Sequence, residues 1–299
     1  MKKLTAIKDL QMMAQIIRED IITSLVEAKS GHSAGPLGMA DIFTALYFNI
    51  LEHDPKNPSW EKRDRLVLSN GHICPVLYAA MSNAGYFPKK ELWTLRKLGT
   101  RLQGHPHREA LPGLETTSGP LGSGLSQACG MAYGLRMDKK KNHVFALCSD
   151  GEHDEGNHWE AVLFAAKYKL SNLIGITDRN YIQIDGNTED IMPLDPLEAK
   201  YRSFNWNVVT IDGNDMPTIV RTLQKARKNK DRPLMIIANT IPGKGVDFME
   251  NKYEWHGKPP KDEEGQLALE QIHAKEAQER GLWYATHNKL KPIHTAKRK

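Results

Sequence analysis

Four short runs, residues 144–148, 173–177, 206–211 and 234–238, are mostly apolar without strict alternation, and stretches of other character separate them. A strand wet on one face alternates apolar with polar residues, whereas a strand covered on both faces has no need to. Helical period fills two of the gaps, at residues 158–168 and 216–227. Strands of this kind alternating with helices confine the chain to an α/β fold: a doubly wound, mainly parallel sheet with helices on both faces.

The residues before this region fit the same plan. Ile7, Leu10, Met13, Ala14, Ile17, Ile21, Leu25 and Ala28 fall on one face of a helix over 7–28. A second helix is expected over 36–51, with Pro36 in its first turn. A short strand is expected over 65–69, ended by Asn70-Gly71, then helices over 73–84 and 88–98. Residues 101–124 hold eight glycines or prolines and little period, which predicts a long functional loop. Small residues mark a closely packed helix over 125–136. Beyond about residue 260 the chain turns charged, so 1–260 reads as one domain and 261–299 as a charged, helical C-terminal extension.

Ligands of open α/β sheets bind beyond the carboxyl ends of the strands, so the residues that follow each apolar run carry the chemistry. After 144–148 comes Ser149-Asp150-Gly151-Glu152. After 173–177 comes Asp178-Arg179-Asn180-Tyr181-Ile182, with Asn180 thirty positions past Asp150. Adjacent strands would bring both to one crevice. Magnesium takes six oxygens, few of them from protein and the rest from phosphates and water. An Asp carboxylate, an Asn amide oxygen and one backbone carbonyl suit the protein's share, and Gly151 lets phosphates approach the backbone.

Composition removes other classes. No apolar run approaches the roughly 20 residues of a membrane span, and residues 1–10 lack a signal-peptide core, so the chain reads as cytoplasmic. Cys74, Cys129 and Cys148 lie far apart among apolar neighbours. They read as buried thiols, and no CxxC pair suggests zinc. The net charge of +5 owes much to Lys289, Lys291, Lys297, Arg298 and Lys299, a solvated tail rather than a nucleic-acid surface.

Twelve histidines are many for this length, and four stand in telling strings. These are Ser30-Gly31-His32-Ser33-Ala34-Gly35-Pro36, Ser69-Asn70-Gly71-His72, Gly104-His105-Pro106 followed by Thr117-Ser118-Gly119-Pro120-Leu121-Gly122, and Glu254-Trp255-His256-Gly257. With the spaced Asp-Gly and Asn they resemble, in order and over residues 10–260, the N-terminal half of transketolase. That resemblance implies thiamine diphosphate and Mg2+ as cofactors. It implies Asp150, Asn180 and the Ile182 carbonyl as metal ligands. His32, His72, His105 and His256 would line the channel to the thiazolium ring. His72 would also approach the diphosphate, and His32 and His256 would meet the hydroxyls of the donor sugar. Gly119 and Leu121 would contact the aminopyrimidine end, Gly151 and Glu152 would flank the diphosphate, and Glu155 would lie near a subunit interface. Ser149 departs from the family, which usually has glycine there, and its side chain would crowd the turn.

Imidazole suits the proposed work, because moving protons on sugar hydroxyls near neutral pH needs a group that titrates there. His107, His153 and His158 match no family string and are expected to be solvated or at an interface. The chain carries no counterpart of the family's second half, which binds the aminopyrimidine and clamps the sugar phosphate. The resemblance therefore implies one half of a split transketolase, which pairs with a C-terminal, pyrimidine-binding chain and self-associates as a dimer of such pairs. Its substrates would be sugar phosphates. A 1-deoxyxylulose 5-phosphate synthase-like subunit is the alternative, against which the Gly104-His105-Pro106 and His256-Gly257 strings speak. A transketolase for an unusual ketose phosphate stays open.

Overall fold

A computed structural model describes residues 3–287. The basic cluster at Lys289–Lys299 falls outside them. Helix α1 (Ile7–Ala28) is followed by α2 (Ala34–Ala45), which runs on into a π-helical turn over Leu46–Ile50. Strand β1 (Arg65–Leu68), α3 (Cys74–Ala84), α4 (Ser123–Met137) and β2 (Val144–Ser149) follow. Next come α5 (Gly156–Lys167), β3 (Leu173–Arg179), and a two-residue hairpin pair, β4 (Ile182–Gln183) and β5 (Gly186–Asn187). Then come α6 (Thr188–Ile191), α7 (Leu197–Ser203), β6 (Asn207–Asp212), α8 (Met216–Ala226), β7 (Leu234–Asn239) and α9 (Asp262–His287).

Strands β1, β2, β3, β7 and β6 form, in that order, one five-stranded sheet whose neighbours are all parallel. The doubly wound expectation is met. Along β2, Phe145 and Leu147 join the core beneath α1, α2, α3 and α8, while Val144, Ala146 and Cys148 join the core beneath α4, α5 and α7. Both faces of β2 and β3 are dry, which is why these strands do not alternate, whereas the edge strand β6 stays partly exposed. Each fully buried Leu or Ile contributes about 1.5–3 kcal/mol. Helix α2 is buried on every side, as a helix apolar all round must be. At Gly38 a Cβ would lie 2.9 Å from the Ile241 carbonyl oxygen, so only glycine lets α2 approach the segment after β7 this closely.

Two elements differ from the sequence expectation. Residues 88–98 form only a 3-10 stretch, Lys89–Thr94, because the backbone turns left-handed at Arg96 (φ 61°), which no helix continues through. The charged C-terminal segment does not stand apart over its first turns. Helix α9 lies along α1, with Ala268 and Ile272 fully buried in the same core as Leu10 and Ile17. All three cysteines are free and buried.

Candidate active site

The sheet delivers the site by register. Ser149 pairs with Asp178 across β2 and β3, and Arg179 pairs with Asn239 across β3 and β7. Three strands therefore end together, and Asp150, Asn180 and Thr240 follow directly on their last residues. Asp150 is almost fully buried (1% exposed). It accepts the Gly151 N–H at 2.9 Å on Oδ1 and the Tyr181 N–H at 2.8 Å on Oδ2. The second bond braces a turn in which Tyr181 is left-handed (φ 63°), a conformation that costs a non-glycine residue energy and recurs at functional sites.

Asn180 is oriented by its neighbours. Its Nδ2 donates to Asp178 Oδ2 at 2.9 Å, and its Oδ1 accepts the Ile182 N–H at 3.1 Å. The Thr240 hydroxyl donates to the other oxygen of Asp178. An amide nitrogen committed to a carboxylate leaves the Asn180 oxygen, with its second lone pair, to the cavity. Burial pushes the Asp150 carboxyl up to about 6 against the pull of Arg179. Burial, reinforced by Asp150, pushes Asp178 up to about 7 against the Thr240 and Asn180 bonds. Arg179 is shared among Asp150 at 3.4 Å, Glu189 at 2.5 Å and Asp195 at 3.3 Å, and stacks on the Tyr181 ring at 4.0 Å. One guanidinium thus serves three carboxyls, and the buried Asp178 has only the neutral partners Thr240 and Asn180, so the crevice is short of positive charge.

The histidines close the other side. The rings of His32, His72 and His256 form a triangle with centroids 5.0, 5.3 and 5.5 Å apart. Each is delivered by a loop or helix start: His32 between α1 and α2, His72 in the 3-10 turn before α3, His256 after the turn Tyr253–Trp255. Burial pushes His32 down to about 4 and His72 well below the usual range, and the neighbouring imidazoles add to both effects. Burial also lowers His256. Burial and then Arg96 lower His105, which stands more exposed at the edge. Burial thus favours the neutral form of all four rings, each able to accept one hydrogen bond and donate another.

One cavity of about 420 Å³ joins the two halves. His32, His72, His105, His256, Gly119, Leu121, Asp150, Gly151, Asn180 and Ile182 all border it. Glu152 and Glu155 do not. Glu152 is fully buried and turned inward: it accepts the Gly122 N–H at 2.7 Å, the Ser149 N–H at 2.8 Å and the Ser69 hydroxyl. Where the resemblance implies that it flanks a diphosphate, its carboxylate ties the ends of β1 and β2 to the start of α4. Gly124 completes that brace: a Cβ there would lie 2.4 Å from Ser69 Oγ. Glu155 lies exposed at the start of α5. Ser149 does not crowd the turn, since its side chain points toward Glu152 Oε2, 3.5 Å away.

His153 and His158 are not solvated, contrary to the sequence expectation. Both are buried inside the chain (2% and 0% exposed) and bonded to the Tyr201 hydroxyl. His107 is partly exposed. Asp178, Arg179 and Thr240 also belong to the site, although no motif singles them out. The available signal was an Asp-Arg pair closing an otherwise apolar strand, since a charge there needs a buried partner.

The transketolase thiamine diphosphate binding domain model matches residues 10–279. The chain belongs to the transketolase family. It is 42% identical over 264 residues to a 6-deoxy-6-sulfo-D-fructose transketolase subunit of Clostridium sp. strain MSTE9, covering 88% of this chain and 96% of that one. It is 39% identical to one of the apulose-4-phosphate transketolase subunits of Actinobacillus succinogenes, again over 88% and 96%. Against the transketolase of Pongo abelii the identity is 38%, over 90% of this chain but 42% of that protein. The transketolase structure from Leishmania mexicana superposes with a TM-score of 0.78 at 28% identity, covering 95% of this chain and 48% of the other. The chain is thus the thiamine diphosphate-binding subunit of a split transketolase, a transferase whose division implies a partner chain. Among the described residues no helix is long and apolar enough to cross a membrane.

Proposed function

We propose that the crevice between β2 and β3 holds Mg2+ through Asp150, the Asn180 amide oxygen and the Ile182 carbonyl, and through the cation grips the diphosphate of thiamine diphosphate. The surplus of buried carboxyls over Arg179 supports a cation. Among the described residues no three His, Cys, Asp or Glu side chains converge as a metal cage. The remaining oxygens would then come from phosphates and water, the usual arrangement for magnesium. Once bound, thiamine diphosphate supplies the electron sink for carbon–carbon cleavage. This chain's own residues bind and orient. Gly119 and Leu121, which border the same cavity, would meet the aminopyrimidine, and His72 would approach the diphosphate.

His32, His72, His105 and His256 would hold and move protons at the hydroxyls and carbonyl of a sugar phosphate while a two-carbon ketol unit is transferred. Positioned acid–base groups typically contribute about 10^2–10^4-fold. The partner would supply the pyrimidine-binding surface and the phosphate clamp, and cytoplasmic dimers of such pairs, with Glu155 near an interface, complete the reading. The relatives named for a sulfo-sugar and for apulose 4-phosphate favour an unusual ketose as donor. The single observation that carries the reading is the shared cavity of Asp150, Asn180 and the three-histidine triangle. The test is to co-purify the chain with its partner and assay ketol transfer with and without Mg2+ and thiamine diphosphate. Turnover that needs both chains and both cofactors is expected. Full turnover by this chain alone, or indifference to Mg2+, would refute it.

A further inference from the structure

Two of the three histidines that match no family string, His153 and His158, sit directly behind the proposed metal-binding turn. His153 lies in the 3-10 turn Gly151–Asp154, His158 in α5 and Tyr201 in α7. His153 Nδ1 stands 2.9 Å from the Ser149 carbonyl oxygen and 3.0 Å from that of Asp150. Carbonyl oxygens only accept, so Nδ1 carries the proton. In the neutral ring Nε2 is then an acceptor, and 2.8 Å away the Tyr201 hydroxyl must donate to it. Tyr201 has one proton. His158 Nε2, 2.6 Å from the same oxygen, must therefore carry its own. The Thr177 side chain also reaches Tyr201, but giving the tyrosine proton to Thr177 would set two lone pairs against each other at His153. With both rings neutral, the bonding pattern thus fixes both tautomers.

We infer that the directed chain His158 Nε2–H to Tyr201 Oη–H to His153 Nε2, continued by His153 Nδ1–H to the Ser149 and Asp150 carbonyls, is a positioning device for the metal-binding turn. The inference rests on the metal assignment proposed above. Asp150 reaches the cavity from a backbone whose own carbonyl is gripped from behind by His153. The indole of Trp159 donates to the His153 carbonyl at 2.8 Å and fixes that turn from a second direction. The device runs outward from the sheet: α7 and α5 hold Tyr201, Tyr201 sets the His153 ring, and the ring sets the peptide that aims Asp150. Outer-shell groups of this kind commonly govern metal affinity by about 10–100-fold.

Two measurements on the full chain test this. In 15N-histidine spectra, assigned with single His→Gln variants, His153 is expected as the Nδ1–H tautomer and His158 as the Nε2–H tautomer. An unprotonated His153 Nδ1 overturns the device. In Mg2+ titrations of thiamine diphosphate binding, Tyr201→Phe is expected to raise the half-saturating Mg2+ by about tenfold, with full binding recovered at high Mg2+. Should Tyr201→Phe not fold, His153→Asn retains a donor toward the carbonyls and His153→Leu retains none. The Asn variant is expected near wild type and the Leu variant about tenfold weaker. Equal losses overturn the device. A wild-type chain indifferent to Mg2+ refutes the metal assignment instead. A wild-type response left intact by both Tyr201→Phe and His153→Leu refutes the positioning role.

Discussion

On the floor of the crevice, both Asp150 carboxylate oxygens accept backbone N–H groups, both Asp178 oxygens accept side-chain donors, and the Asn180 amide is held at both ends. At the rim, the buried Nδ1 atoms of His32 and His256 have no hydrogen-bond partner among the described residues. A buried polar group without a partner costs about 1–3 kcal/mol. The chain bears that cost at the rim and avoids it on the floor. The floor is finished by the fold itself, as the proposed resident cofactor would require, whereas the rim keeps bonding capacity that a passing substrate would use.

The contrast can be broken most directly at the floor. Asp150→Ala is expected to weaken Mg2+-dependent thiamine diphosphate binding by about a hundredfold or more, since loss of an outer-shell group alone can cost about 10–100-fold. Cofactor titration of the chain checks it, and binding near wild-type strength would remove Asp150 from the metal. His256→Ala probes the rim. With the partner present, turnover should fall by about 10^2-fold while the Mg2+ dependence of cofactor binding stays near that of wild type. A variant that loses both in step would show that rim and floor are not separable.

The smallest expected effect concerns acid. His32 and His153 are pushed down to about 4, and His72 and His158 well below the usual range, by burial. Each ring stays neutral when folded and takes up a proton near 6.5 when unfolded, so its contribution is complete above about 6.5 and is lost as pH falls toward 4. The raised Asp150 and Asp178 act in the opposite direction: the folded state holds their protons up to about 6 and 7, so they favour the fold at low pH. His53, His105, His143 and His256 are lowered as well, and Asp20, Glu152 and Asp154 are raised, so the displaced rings outnumber the raised carboxyls. The thermal midpoint of the metal-free chain should decline between pH 7 and pH 5, as calorimetry can follow. A midpoint that rises on acidification would put the carboxyls in command.

How far the sequence could be read depended on whether partners lay close along the chain. Helix α1 runs over the expected 7–28, because its apolar face repeats within one segment. Asp150 and Asn180 were legible because each follows closely on an apolar run. Asp178 was not, because what defines it is Thr240, 62 positions further on. His153 and His158 read as solvated or interface residues for the same reason, since Tyr201 lies 48 and 43 positions away. The resemblance implies a diphosphate beside Glu152, whereas Ser69, 83 positions earlier, draws its carboxylate inward.

The position of β7 between β3 and β6 has a consequence for how the molecule is made. The last sheet strand to be synthesised is not an edge but the filler of a gap, and it brings Thr240 with it. Without this strand Asp178 would lack the Thr240 hydroxyl and keep only the Asn180 amide as a partner. Under the proposed Mg2+ assignment, cation capture would then await a polypeptide whose sheet is already whole.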